Sequence, residues 1–385
     1  MIRTYRYRIY PNKTHRDLLG NIFDFQCTLY NQALHNRTET YKTTKKSLSY
    51  VDQWNIFKQA RRDVFPHVNA TSMQQLLRRL DKSFKAFFRR IKSGKKSGFP
   101  RFKPRNRFHS IEFKPSDGCK IASVDGKQKL SVTHVGLIRI KWHRDLPDDS
   151  VIKHIVISNK HGKWFVCLQF EIPDSEKVSD DPAIGIDLGI NHLVATSDGD
   201  FIDSPKHYIA SQRKFRILQR SVSRKKRGSN RRKESVRLLG KQHEHIANCR
   251  DDFLHKTTRK LVDNYGIIAI EKLTLAFMTK DKFIAKSAHD VAIGKFTSML
   301  EYKAEEAGVQ VVKVDPKNTS QLCSQCNKIV KKDRGVRVHK CPHCGLILDR
   351  DINAAKNILQ RAASVLEPLT CRITESVGSQ AVCFS

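Results

Sequence analysis

The sequence predicts a small β-barrel interrupted by a helical insert and followed by an α/β domain. Three observations carry that reading. Short runs of alternating polarity open the chain and return over residues 109–173. Two amphipathic helical stretches, residues 15–37 and 71–92, lie between them. Beyond residue 181, short apolar runs flank long helical patterns, as strands buried on both faces of a parallel sheet require.

Taken in order, residues 1–10 put Tyr5, Tyr7 and Ile9 on one face and Arg6 and Arg8 on the other, and Pro11 ends the strand. The first helix carries Leu18, Leu19, Ile22, Phe23, Leu29, Tyr30 and Leu34 as one broad apolar face. The second carries Leu76, Leu77, Leu80, Phe84, Phe87, Phe88 and Ile91, interleaved with Arg78, Arg79, Lys82, Lys85, Arg89 and Arg90. Gly94, Gly98 and Pro100 stop it. Residues 136–142, 152–158 and 163–172 read as strands, the last two forming a hairpin across 159–162. A charged, apolar-poor linker at 175–182 opens the α/β part. Strands are expected at 183–187, 193–196, 266–271 and 309–314, and a helix at 353–363. Residues 364–385 read as a disordered polar tail.

Charge sets the partner class. The chain has 385 residues, enough for two or three domains, with 72 Lys and Arg against 38 Asp and Glu, a formal net charge of +34. The pI is about 10.0. Such self-repulsion destabilises a compact state unless a polyanion offsets it, which argues against an enzyme of small neutral metabolites and for nucleic acid. A hydrophobic fraction of 39% supports real cores and excludes a wholly disordered basic chain. No apolar run approaches the ~18 residues of a membrane span, and the first residues lack a signal-peptide core. No membrane partner is expected, and the expected compartment is the cytoplasm or nucleoid of a prokaryote. Trp54, Phe88 and Phe99 could stack on bases, with core packing the simpler role for each.

Three carboxylates sit at element ends. Asp187 follows the apolar run Ala183–Ile186, Glu271 ends the run Ile267–Ile270, and Asp351 opens the last helix. An acid at the end of a buried strand costs desolvation unless a positive partner meets it. A divalent cation is a natural partner where a phosphate backbone must be held, and hard oxygen ligands suit Mg²⁺. Each acid alone has a simpler role: Asp351 as a helix N-cap, Glu271 as a surface acid, Asp187 as a turn residue. Together, in so basic a chain, they point to a metal site.

Of ten cysteines, Cys27, Cys119, Cys167, Cys249, Cys371 and Cys383 are scattered and read as ordinary thiols. The other four form Cys323-Ser-Gln-Cys326 and Cys341-Pro-His-Cys344, with fourteen residues (327–340) between the pairs. That spacing predicts a zinc ribbon with four thiolates, closed to further ligands and therefore structural. His339 and His343 are alternative ligands, expected instead on the surface of the knuckles.

Residues 213–241 hold 13 Lys or Arg and one acid, Glu234. Phe215, Leu218 and Val222, then Val236, Leu239, Ile246 and Phe253, keep helical spacing on either side of Gly228-Ser-Asn230. Two helices joined by a basic loop are expected to lie along a nucleic-acid backbone. Arg213, Arg216, Arg220, Arg224, Lys225, Lys226, Arg227, Arg231 and Arg232 are the candidate contacts.

In combination, Gly185-Ile-Asp187-Leu-Gly189, Ile270-Glu271-Lys-Leu273, Thr319-Ser-Gln-Leu-Cys-Ser-Gln-Cys326, Cys341-Pro-His-Cys-Gly345 and Asp349-Arg-Asp351-Ile-Asn-Ala-Ala355 resemble TnpB. This is the insertion-sequence-encoded family ancestral to type V CRISPR effectors. Tyr10-Pro11 and Gly98-Phe-Pro-Arg-Phe-Lys103 fit its N-terminal half, and the resemblance spans roughly residues 1–362. It implies a wedge-type β-barrel (1–12 and 106–180) carrying a helical recognition domain (13–105). It also implies a RuvC-like nuclease of RNase H fold (181–319 and 347–363) with an inserted zinc ribbon (320–346). Asp187, Glu271 and Asp351 match the RuvC triad by motif position, and the four cysteines match the knuckles. Asn327 departs from the Gly that commonly follows the second Cys, and Lys272 from a frequent Asn.

The implied activity is RNA-guided endonuclease cleavage of double-stranded DNA beside a short transposon-associated motif, with a guide RNA derived from the transposon end. Two Mg²⁺ ions ~4 Å apart, held by the triad, would activate water and stabilise the leaving oxygen. Two rivals share these features: an RNA-guided repressor that binds without cutting, and a transposase performing strand transfer.

Overall fold

A computed structural model describes residues 2–64, 66, 68–172, 181–273, 290–333 and 335–377, without the side chains of residues 60 and 367–377. The chain divides after Pro173 into two compact units.

In the first unit seven strands close a barrel: β1 (Ile2–Tyr10), β2 (Ser110–Pro115), β3 (Gly118–Val124), β4 (Lys127–Val132), β5 (Gly136–Lys141), β6 (Val151–Lys160) and β7 (Lys163–Glu171). Their order is β1-β5-β4-β3-β2-β6-β7. β1 closes the ring, pairing antiparallel with β5 through Arg8, Ile9 and Tyr10 and with β7 along most of its length. Closure leaves no bare sheet edge. Tyr7 and Ile9 enter the interior with Ile111, Phe113, Leu130, Ile138, Val166, Leu168 and Phe170. Tyr5 is partly buried on the same side, edge-on to Phe170 at 4.7 Å, as the alternation predicts. The β6–β7 turn uses His161 and Gly162, both at positive φ (51° and 80°), which matches the twist of a two-residue hairpin.

Three helices fill the gap between β1 and β2. Helix α1 (Lys13–Thr44) starts where the Asn12 side chain accepts the His15 N–H at 2.7 Å, and it is longer than its apolar face suggests. Leu19, Ile22 and Phe23 join the barrel core, whereas Leu29, Tyr30, Ala33 and Leu34 pack with Met73, Leu76, Leu77, Leu80 and Phe84 of α3 (Ala70–Lys92). Helix α2 (Tyr50–Val64) is not anticipated by the periodicity. A capping box starts it: Asp52 Oδ2 accepts the Ser49 N–H at 2.8 Å, and Ser49 Oγ accepts the Asp52 N–H at 3.3 Å. Trp54 is partly buried in the helical core, whereas Phe88 and Phe99 are exposed and touch Phe87 edge-on.

The second unit is built on a five-stranded sheet of order β10-β9-β8-β11-β12. Strands β8 (Ala183–Asp187), β9 (His192–Thr196) and β10 (Phe201–Asp203) form an antiparallel meander. Strands β11 (Ile267–Glu271) and β12 (Gln310–Val314) run parallel to β8. This third-second-first-fourth-fifth order is the RNase H fold. Alternation splits the faces. Ile184, Ile186, Ile268 and Ile270 pack with Leu254 and Leu261 of α5 (Asn230–Asn264) and Phe296 and Leu300 of α6 (Ile293–Ala307). On the other face Ala269, Val312 and Val314 pack with Ile358 and Ala362 of α7 (Arg350–Val377). Helix α4 (His207–Ser223) lies along α5. Strand β10 and helix α6 are absent from the sequence-based expectation.

Helix α7 continues to Val377, past the expected end at 363, because Val365, Leu366, Leu369, Ile373 and Val377 keep helical spacing. Residues 378–385 of the expected tail, and 175–180 of the expected linker, lie outside the described residues. No described helix is long and apolar enough to cross a membrane.

Close approach of α7 to β8 depends on Gly185. A Cβ there would lie 2.1 Å from the Ala355 carbonyl oxygen and 2.8 Å from Leu359 Cβ. Gly185→Val is expected to lower stability by about 3 kcal/mol or more, because backbone rather than a flexible side chain must yield. In thermal unfolding this appears as a fall in Tm of roughly 6 °C or more. An unchanged Tm would contradict so close a helix–strand approach.

Candidate metal-binding and nucleic-acid-binding sites

The sheet topology brings the three predicted acids to one end. Strands β8 and β11 are parallel neighbours whose ladder ends on Ile186 opposite Ile270, so Asp187 and Glu271 leave the sheet side by side. Both alternate away from the isoleucines that face α5 and α6, and therefore lie on the face that α7 covers. The start of α7 adds Asp351. The N-cap role falls to Asp349 instead: its Oδ1 accepts the N–H of Asp351 at 2.7 Å and of Ile352 at 3.3 Å. The Asp351 carboxylate is left to face Arg337 Nη1 at 3.5 Å.

Burial pushes the Asp187 carboxyl up to about 8, and the charges of Glu271 and Asp351 push the same way, against Arg350 and the Leu188 N–H. Burial also raises Glu271, opposed by a hydrogen bond from the Thr319 hydroxyl and by Arg361. The acids thus sense one another electrostatically. Among the described residues, however, only the four cysteines form a ligand group drawn within 4.8 Å. The carboxylates share an end of the sheet at wider spacing, as their mutual repulsion favours.

The raised Asp187 makes stability depend on pH with a definite sign. Its folded-state pKa lies above its unfolded value of about 3.9, so ionisation costs stability as pH rises from about 4 to about 8. In buffer freed of divalent cations, Asp187→Asn is expected to match wild-type Tm near pH 4. It should exceed wild type by roughly 5 °C at about pH 8.5. Parallel Tm curves across that window would refute the assignment.

The four cysteines converge as their spacing predicts. Cys323 and Cys344 Sγ are 3.6 Å apart, as are Cys326 and Cys341 Sγ, close to the ~3.8 Å edge of a tetrahedron with ~2.3 Å metal–sulfur bonds. Each pair begins a tight knuckle: the Asn327 N–H donates to the Cys323 carbonyl and the Gly345 N–H to the Cys341 carbonyl, both at 3.0 Å. Asn327 has φ 57° and Gly345 φ 77°. The left-handed position after the second Cys of each pair explains why Asn, the non-glycine residue most tolerant of it, can replace Gly. Strands β13 (Val338–Lys340) and β14 (Ile347–Asp349) pair antiparallel beside the knuckles. His343 is exposed, but His339 is fully buried on β13 with Nδ1 against the Lys332 amine, so it is not the surface residue expected.

Sequence reasoning missed the residues that join ribbon to acids. Asn353 and Asn357, one turn apart on α7 and almost wholly buried, both donate to the Leu322 carbonyl at 2.7 Å. Asn357 also donates to the Thr319 carbonyl at 2.8 Å, and Asn353 Oδ1 accepts the Ser324 N–H at 3.0 Å. Thr319 in turn bonds Glu271. The available signal was two Asn in the interior of an Ala-rich helix, where this residue is a poor helix former.

The basic segment forms the expected helical hairpin. Ser229 Oγ caps α5 by accepting the Arg232 N–H at 3.2 Å, and Gly228 turns the loop at φ 87°. Arg213, Arg216, Arg220, Arg224, Lys226, Arg227 and Arg231 are exposed, whereas Lys225 and Arg232 are partly buried. Lys225 donates to Ser235, and Glu234, the segment's only acid, pairs with Arg237. Val236 is exposed, contrary to its expected inward place, while its neighbour Ser235 is buried and meets Ser221 of α4 across the helix–helix contact.

Comparison with known proteins places this architecture. Three family models match: a helix-turn-helix domain over residues 1–46, a probable transposase over 165–282, and the Cas12f1-like TNB domain over 294–358. Residues 1–46 are strand β1 and the single helix α1 with its exit, not a helix-turn-helix. A Streptomyces pristinaespiralis protein whose name proposes an RNA-guided DNA endonuclease is 34% identical over 93% of this chain and 88% of its own length. InsQ of Escherichia coli K12, with the same proposed activity in its name, is 29% identical over 88% of this chain and 87% of its own. The solved Cas12f1-sgRNA-target DNA complex contains a chain with TM-score 0.65 and 14% identity, covering 93% of this chain and 98% of that one. A structure of the mini-RNA-guided endonuclease CRISPR-Cas_phi3 gives TM-score 0.54 at 10% identity, over 94% and 92% of the two chains. Fold and site define a β-barrel protein with an RNase H-fold domain and a four-cysteine ribbon. The chain belongs to the TnpB family.

Proposed function

We propose that this protein is an RNA-guided DNA endonuclease that hydrolyses phosphodiester bonds at Asp187, Glu271 and Asp351. The supporting observation is that three sequence-distant acids meet at one end of an RNase H-fold sheet, with Asp187 pushed up to about 8 by burial and the other two charges. Hard oxygen donors sharing one end of a sheet fit magnesium, which keeps several of its waters and takes only a few carboxylates. Bound there, magnesium supplies activation of water and stabilisation of the leaving 3′ oxygen. The chain's own groups prepare the place: Thr319 orients Glu271, Asp349 relieves Asp351 of capping, and Arg350 lies near enough to favour ionised Asp187. The four thiolates fit zinc in a closed, structural site. The basic hairpin holds nucleic-acid backbone, and guide pairing selects the target sequence.

Sequencing the RNA that co-purifies with the protein, followed by cleavage of a matched double-stranded target in Mg²⁺, tests this reading. One defined RNA species and guide-dependent cutting are expected. Site-specific cutting by RNase-treated protein with no RNA restored would overturn it. Replacing Arg224, Lys226, Arg227 and Arg231 together by Ala should weaken binding to all sequences alike. It should also flatten the log–log salt dependence by ~0.7–0.9 for each phosphate no longer neutralised. A changed target preference would contradict a backbone-only role.

A further inference from the structure

We propose that Phe201 and His192 form a stacking subsite for an unpaired nucleobase of the strand being cut, beside the acidic centre. The proposal rests on the endonuclease reading and deepens it. Phe201 lies on the three-residue edge strand β10 and is 39% exposed, whereas Ile184, Ile186, Leu193, Val194, Ile268 and Ile270 of the same sheet are buried.

Register places that ring usefully. Asp187 pairs with Ala195 across β8–β9, and Ala195 pairs with Phe201 across β9–β10. Directly paired residues share a face, so Asp187, Ala195 and Phe201 form one row on the α7 side of the sheet. Two strand spacings separate its ends, ~10 Å. A strand whose phosphate reaches Asp187 can therefore lay a neighbouring base on Phe201.

The second aromatic is held in place. The irregularity between Ile202 and Asp203 turns the β9–β10 ladder at His192, whose ring centroid comes 4.4 Å from that of Phe201. Asp203 Oδ1 lies 2.5 Å from His192 Nδ1, which fixes the ring plane. Beyond His192 opens a cavity of about 360 Å³ lined by Asn191, His192, Asp203, Ser204, Pro205 and Lys206. Lys206, exposed and held at φ 46°, is among the lining residues and brings a cation to the same cavity. A Phe201–His192 ring pair beside a cavity that His192 and Lys206 both line suits one nucleotide, base on the rings and phosphate toward the amine. Every base offers a π face, so the subsite would tolerate any sequence.

The test uses the co-purified RNA–protein complex and a short single-stranded DNA carrying one 2-aminopurine, in buffer freed of divalent cations. Wild type and Phe201→Trp should quench its fluorescence. Phe201→Ala should lose most of the quenching and weaken binding about tenfold, with Asp203→Asn between them. In Mg²⁺, Phe201→Ala should also scatter the cut positions on a matched target. Equal quenching and equal affinity in wild type and Phe201→Ala would overturn the subsite. Absence of guided cleavage by wild type would instead strike the endonuclease reading, because the fluorescence signal needs neither guide pairing nor metal.

Discussion

Asp187→Ala is expected to lower DNA cleavage by at least ~10³-fold while guide and target binding stay within about twofold of wild type. On the proposed reading Asp187 is one of the metal's ligands, so its loss would misplace the metal and the water to be activated, on both of which the chemical step depends. Binding depends on the basic surfaces, which this change leaves alone. Asp187 is the most informative of the three positions because it meets both other acids electrostatically, and its central strand pairs on either side with β9 and β11. Glu271→Ala and Asp351→Ala should act in the same direction. Single-turnover cleavage and filter binding on the same preparations separate the two quantities. A binding-only protein would show no cleavage in wild type, and a protein using another centre would keep its full rate in Asp187→Ala.

Much of this centre was legible before any fold was known, for a physical reason. A carboxylate ending an apolar strand costs desolvation, so Asp187 and Glu271 stand out from their neighbours. The cysteine pairs stand out because thiolate spacing is fixed by the metal rather than by the fold. Tyr7 and Ile9 gave away their face because one side of a barrel strand is always interior. The barrel was legible from the opening strand and the short runs that return after the helices, but its strand order was not, since β1 meets β5 and β7 through pairings more than a hundred residues distant in sequence. Helix α2 was overlooked although Tyr50, Trp54 and Phe57 keep helical spacing and the Ser49–Asp52 capping box announces its start, because three inward residues make a narrower stripe than those of α1 and α3. Val236 misled because periodicity assumes that bulky residues pack inward. Here Ser235 meets Ser221 between α4 and α5, and the valine beside it is left outside.

Removing the ribbon's metal is expected to disable cleavage at the acids as well as to unfold the ribbon. Strands β13 and β14 have three residues each, too few to hold a fold without the bound metal. The segment leading into the first knuckle is tied to α7 by Asn353 and Asn357, and Thr319 of that segment orients Glu271. Loss of the thiolate site therefore releases Glu271 from Thr319 and loosens the start of α7, where Asp351 sits. Cys326→Ser or Cys344→Ser should reduce zinc well below one per chain and slow cleavage on the order of 100-fold, even with excess Mg²⁺. Asn357→Leu separates the two effects. Zinc content should remain near one per chain while cleavage falls about tenfold, because the clamp is broken with the thiolates intact. Metal analysis alongside single-turnover cleavage distinguishes the cases. Full cleavage by zinc-free protein would show that the acids are positioned without the ribbon.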